Sequence, residues 1–206
     1  METYKHNFVF PVSLVIVLAL STFGFFMPER LEQLFTLVHE KIITHFGWGY
    51  LVSTFAFLVI SLALAFSKYG EIKLGADNEA PQYSYYGWFS MLFAAGMGIG
   101  LIFWGVAEPM SHYLNPPSYL EAESGEAAAF AMQYSFFHWG VHPWAVYIIM
   151  SLSIAYFSFR RGMPPLISSC FYPLLGDRIF GFAGQCIDTL AVFATVFGIV
   201  TSLGLG

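Results

Sequence analysis

The sequence predicts an all-α, polytopic helical membrane protein. Three features carry that prediction: 57% of the residues are hydrophobic and only 10% charged, mean hydropathy is +0.65, and apolar stretches of spanning length recur along the chain. Soluble domains carry about a quarter charged residues. A bilayer core takes about 20 apolar residues per helix, and five stretches meet that length, at 8–27, 48–67, 87–107, 127–157 and 179–206.

The formal net charge of -5 argues against a nucleic-acid partner, since a phosphate backbone calls for a basic surface. Aromatic residues make up 19% of the chain. Composition leaves open whether they anchor the protein at the lipid interface or line a binding site. Cys170 and Cys186 have neither CxxC spacing nor histidine neighbours, which gives no support to a metal site or a disulfide framework at those residues.

The N-terminal METYKHNFVF runs into a hydrophobic stretch too long for a signal peptide, with no small-residue cleavage site, so a retained first span is expected. In PERLEQLFTLVHEKIITHFGW, Leu31, Leu34, Phe35, Val38, Ile42 and Ile43 recur at helical spacing among charges. That pattern predicts a helix lying along the interface without spanning. With five alternating spans, Lys5, Lys68, Lys73, Arg160, Arg161 and Arg178 fall on one side, against Arg30 and Lys41 on the other. The positive-inside bias then places the N-terminus in the cytoplasm. The loop with Glu121, Glu123 and Glu126, free of basic residues, falls outside.

The third span, MLFAAGMGIGLIFWGVAEPMSHY, alternates Gly96, Gly98 and Gly100 inside a membrane helix. Each glycine weakens a helix by about 1 kcal/mol relative to alanine. Free backbone at membrane depth is tolerated where it lines a cavity or binds something, so the three glycines are candidate binding residues. Small residues that let two helices approach closely account for the same pattern, and spacing alone leaves both readings open.

AAGMGIGLIFWGVAEPMSHY is similar to the signature of the betaine/carnitine/choline transporter family. The similarity continues in SKYGEIKLG, FFHWGVHPWAVY and TVFGIVTSLGLG, and so covers nearly the whole chain. The resemblance implies secondary transport of a quaternary-ammonium solute, with glycine betaine favoured over choline or carnitine, and no catalysis. It also implies a LeuT-like core of inverted repeats, a homotrimer and a bacterial cytoplasmic-membrane location with lipid around it. In that scheme residues 1–86 hold two peripheral spans and the interfacial helix, and residues 87–206 hold the first three helices of the core. TSLGLG stops within an apolar helix without a cap, so the chain is expected to be an inactive N-terminal portion.

In the fourth span, Trp144 and Tyr147 lie one helical turn apart, and Trp139 precedes a break expected near Pro143. Ring faces bind a quaternary ammonium through cation–π contact, whereas aromatics near a span end also form interfacial belts. The resemblance matches Trp139, Trp144 and Tyr147 to aromatic positions of the family's solute site or pathway. It further implies sodium as coupling ion, with no other cofactor. The backbone carbonyls of Ala94 and Met97 would serve one sodium and the hydroxyl of Thr195 a second. Ile199 stands where some sodium-coupled members carry another hydroxyl, which leaves the second ion open.

Two other classes fit parts of the sequence. His138 and His142, spaced i and i+4, with His39 and His45, suit a haem- or metal-binding redox subunit, although no carboxylate or third ligand is adjacent in sequence. A non-transporting remnant suits the uncapped end. Glu108, before Pro109, and Asp188, early in the fifth span, are explained as helix-end residues.

Overall fold

The computed structural model describes residues 7–96 and 98–204, and every regular element among them is helical. The principal helices are α1 (Val9–Phe26), α2 (Pro28–Phe66), α3 (Tyr85–Gly96), α4 (Ile99–Leu114), α5 (Gly125–Trp139), α6 (Val141–Ala155), the short α7 (Tyr172–Leu175) and α8 (Phe182–Gly204). Among the described residues, four helical stretches are long and apolar enough to cross a membrane: α1, α2, the 125–160 stretch containing α5 and α6, and α8. The third expected span is present as two helices of 12 and 16 residues, each too short to cross alone.

α1 starts where Asn7 Oδ1 accepts from the backbone N–H of Val9, and the Phe8 N–H donates to Gln185 Oε1 at 2.8 Å, tying the start of α1 to α8. The Phe8 and Phe182 rings meet at the same junction. Met27 alone separates α1 from α2. Pro28 opens α2, where its missing N–H costs nothing and its fixed φ suits a first turn.

α2 differs from expectation. The interfacial helix and the second span form one continuous helix of 39 residues, about 58 Å long at 1.5 Å per residue. Its apolar period runs unbroken from Ile43 through Trp48 to the second span, and Gly47 and Gly49 do not interrupt it. A helix of that length exceeds a hydrocarbon core of about 30 Å.

The helices pack chiefly as α1 with α8, α2 with α6, and α4 with α5. Ala127, Ala131 and Ala145 are buried, as expected where small residues let membrane helices approach. Most large apolar side chains, among them Phe25, Phe66 and Leu203, are exposed, which suits surfaces that meet lipid or further helices. At the loop end of the 125–160 stretch, Arg160 pairs with Asp77 Oδ1 at 2.6 Å and donates to the Gly75 carbonyl. The loops that follow α2 and α6 therefore lie together.

Candidate functional site

α3 ends at Gly96 and α4 starts at Ile99, with Gly98 extended between them as the cap of α4. The Gly98 carbonyl accepts from the Leu101 N–H at 3.1 Å. Ala94 lies in the last turn of α3, Gly100 in the first turn of α4, and Met97 lies outside the described residues. The end of α3 and the start of α4 meet at this break, and helix ends in general leave carbonyls and N–H groups without intrahelical partners, the partial charges that discontinuous membrane helices offer to ions and solutes. Gly98 has an ordinary extended backbone, φ -93 and ψ -170, and a Cβ there would meet nothing within 4 Å. Neither backbone strain nor contact within the described residues requires glycine at that position.

The fourth span breaks at Gly140, three residues before the position expected. Pro143 sits in the first turn of α6, where proline is tolerated, and so does not break the helix. A Cβ at residue 140 would lie 2.6 Å from the Phe136 carbonyl oxygen, which explains the glycine. Past the break, Trp144 and Tyr147 share a face of α6, with ring centroids 5.7 Å apart at 48°, and both rings are exposed. Trp139 ends α5, and among the described residues no ring pairing joins it to Trp144 or Tyr147. A cavity of about 560 Å³ at the break is lined instead by Gln133, Tyr134, Phe136, Phe137 and His142.

Trp139 is committed elsewhere. Its indole N–H donates to Glu108 Oε2 at 2.6 Å, while Glu108 Oε1 is bonded to His138 Nδ1 and lies 3.5 Å from His112 Nε2. Glu108 is thus more than a helix-end acid, and a carboxylate does stand beside His138, supplied by α4 from 30 residues away in sequence. His138 and His142 are separated by the Gly140 break and do not form a regular i, i+4 pair. The connection between α4 and α5 is held by the Tyr113 hydroxyl on the Glu123 carbonyl and by Ser124, whose hydroxyl accepts from the Ala127 N–H and caps α5.

Thr195, on α8, donates its hydroxyl hydrogen to the Ala191 carbonyl at 2.8 Å. It lines a cavity of about 330 Å³ with Asn7, Leu166, Gln185 and Asp188. Asp188 is buried and accepts from both the backbone N–H and the hydroxyl of Ser168, at 3.0 and 2.8 Å. Its structural task is therefore to fasten the turn at Ile167–Phe171 to α8. α3 and α8 make no substantial packing contact among the described residues. Ala94 and Thr195 thus stand on separated elements, and the two are not brought together here.

Residues 8–206 match the family described as BCCT, betaine/carnitine/choline family transporter. The chain is 50% identical over 202 residues to a "Probable glycine betaine transporter" of Desulfitobacterium hafniense (strain Y51), covering 98% of this chain and 40% of that protein. It is 48% identical over 203 residues to the "Glycine betaine transporter OpuD" of Bacillus subtilis (strain 168), with the same two coverages. An "Ectoine/hydroxyectoine transporter" of Virgibacillus pantothenticus is 47% identical over 202 residues, again 98% of this chain and 40% of that protein. The chain spans about 40% of the length of these relatives.

Proposed function

The chain belongs to the betaine/carnitine/choline transporter family, a multi-pass membrane family, and on that premise we propose that it supplies the N-terminal part of a secondary transporter for a compatible solute. Glycine betaine is the favoured solute, with choline, carnitine or ectoine as alternatives, and sodium is the coupling ion. The observation that carries this reading is the break of the third span at Gly98, which sets opposed helix ends in the middle of a spanning segment.

In this proposal Trp144 and Tyr147 offer ring faces to the cationic head of the solute. Trp139 borders the site through its bond to Glu108, and Gly96, Gly98 and Gly100 leave room for the solute against the backbone. The carbonyls of Ala94 and Met97 take one sodium and Thr195 a second. Residues 1–86 are peripheral and residues 87–206 enter the core. The N-terminus faces the cytoplasm of a bacterial cell, the lipid bilayer surrounds the exposed apolar faces, and the assembly is a homotrimer. Alternating access moves one repeat against another about a midplane site, so the 206-residue chain expressed alone inserts without transporting.

A hybrid in which residues 1–206 replace the matching segment of the Bacillus subtilis relative tests the proposal. Sodium-dependent uptake of radiolabelled betaine into vesicles, absent with the 206-residue chain alone, is the expected result. A hybrid that reaches the membrane at the parent's level, elutes as a single species and moves no betaine would contradict it.

A further inference from the structure

Among the described residues, outside the aromatic pair and the glycine break, one cluster gathers ligand chemistry. Glu108 and His112 stand one turn apart on α4, and His138 reaches them from the packed helix α5. One carboxylate oxygen and one nitrogen from each imidazole all lie within 4.8 Å of one another. We propose that Glu108, His112 and His138 form a binding site for a divalent transition-metal ion of the zinc class.

The donor set selects the ion. Two imidazole nitrogens and one carboxylate oxygen suit zinc and its neighbours, whereas calcium and magnesium take oxygen ligands throughout. With metal–ligand bonds of about 2.0–2.2 Å, donors around a tetrahedral ion stand roughly 3.3–3.6 Å apart. His112 Nε2 and Glu108 Oε1 are already 3.5 Å apart, while the direct His138 Nδ1–Glu108 Oε1 contact at 2.5 Å opens by about 1 Å to admit an ion. Water completes the coordination, since His138 is about half exposed.

Two further observations favour a site over a plain hydrogen-bonded triad. His112 Nε2 is shielded from solvent and makes no well-formed hydrogen bond, with only Glu108 Oε1 beside it at 3.5 Å, and an ion placed among the three donors supplies a partner. Glu108 is also oriented from behind. The Trp139 indole holds Oε2 at 2.6 Å, leaving Oε1 turned towards both imidazoles, the arrangement in which an outer partner aims a metal ligand. The Phe130 and Tyr134 rings stand beside His112, each with its centroid 6.0 Å from the imidazole. A bound ion would cross-link α4 to α5 next to the Gly140 break.

Purified 206-residue chain carrying a tag without histidine, titrated with Zn²⁺ against a chromophoric chelator, tests the assignment. The expected result is one ion per chain. His112→Phe and His138→Phe should each weaken binding by at least about 100-fold, beyond the roughly 10-fold cost expected for Trp139→Phe as an outer partner. His39→Phe, on α2, should leave it unchanged. A wild-type chain that elutes as a single helical species and binds no Zn²⁺, or a His112→Phe chain with wild-type affinity, would overturn the proposal. X-ray absorption of the zinc-loaded wild-type protein gives an answer even if a variant fails to fold: a shell with two imidazoles and an oxygen near 2.0–2.2 Å supports the site, and fewer than two imidazoles refutes it.

Discussion

The Trp139 indole nitrogen on α5 lies 2.6 Å from Glu108 Oε2 on α4. This bond joins the two halves of a tightly packed helix pair and fixes the residue that precedes the Gly140 break. Trp139→Phe retains an aromatic body but removes the donor to the half-buried Glu108, a loss of about 1 kcal/mol for a partly exposed bond. A double-mutant cycle of Trp139→Phe with Glu108→Leu, read by thermal unfolding in detergent, should give a coupling of about 1 kcal/mol. Additive effects would show that the bond contributes nothing to the pair.

The buried Gly184, in the first turn of α8, is required for a different reason. A Cβ there would sit 1.7 Å from the backbone carbonyl oxygen of Ile179, and backbone cannot yield as a flexible side chain can. Gly184→Ala should cost at least about 1–3 kcal/mol. Gly198→Ala on the same helix meets nothing within 4 Å and should gain stability from alanine's helix propensity, up to about 1 kcal/mol. Thermal unfolding of both variants checks the contrast, and equal midpoints would contradict it.

The proximity of the loops after α2 and α6, through Asp77 and Arg160, accords with an even number of crossings between them. Asn78→Cys and Ser118→Cys, both at exposed loop positions, introduced after replacing Cys170 and Cys186, should react with an impermeant maleimide from opposite sides of the membrane. Asn78→Cys should label only from the cytoplasmic side. Labelling of both from one side would overturn the topology.

The Asp77 carboxyl is held below its ordinary value of 3.8, first by the hydrogen bond from Arg160 and then by its charge. A carboxyl whose folded-state pKa is depressed contributes stability that is fully present above the unfolded value and is lost as the pH falls through the folded value. The Asp77→Asn protein should therefore unfold at a lower temperature than wild type at pH 7. The gap should close below about pH 3.8 and shrink in high salt, since the pair is solvent-exposed. A gap independent of pH would assign the effect to something other than charge.

Much of this architecture is legible in residue pattern. Apolar length places α1 at Val9–Phe26 against an expected 8–27, and α8 at Phe182–Gly204 against 179–206. The glycine alternation at Gly96, Gly98 and Gly100 marks the discontinuity of the third span because weak helix formers and a spanning length conflict locally. Continuity of α2 is hidden, since charges at Glu40 and Lys41 mimic an interfacial boundary while the helical period carries straight through them. Gly140 was overshadowed by Pro143, because proline is a breaker in a helix interior and harmless in a first turn. The Glu108, His112 and His138 cluster is a tertiary contact across 30 residues, and only the i, i+4 spacing of Glu108 and His112 hints at it. The tie between Gln185 and Phe8 spans 177 residues and leaves no local signal.

The most direct test of the account is the apparent affinity for glycine betaine of the hybrid transporter carrying Trp144→Leu, measured by radiolabelled uptake. Leucine keeps much of the apolar bulk but removes the ring quadrupole that the proposal sets against the quaternary ammonium, a loss of roughly 1–2 kcal/mol. The predicted result is a KM raised about 5- to 30-fold at unchanged membrane yield. An unchanged KM in a hybrid that still transports betaine would contradict the account and leave Trp144 as an anchor at the membrane interface.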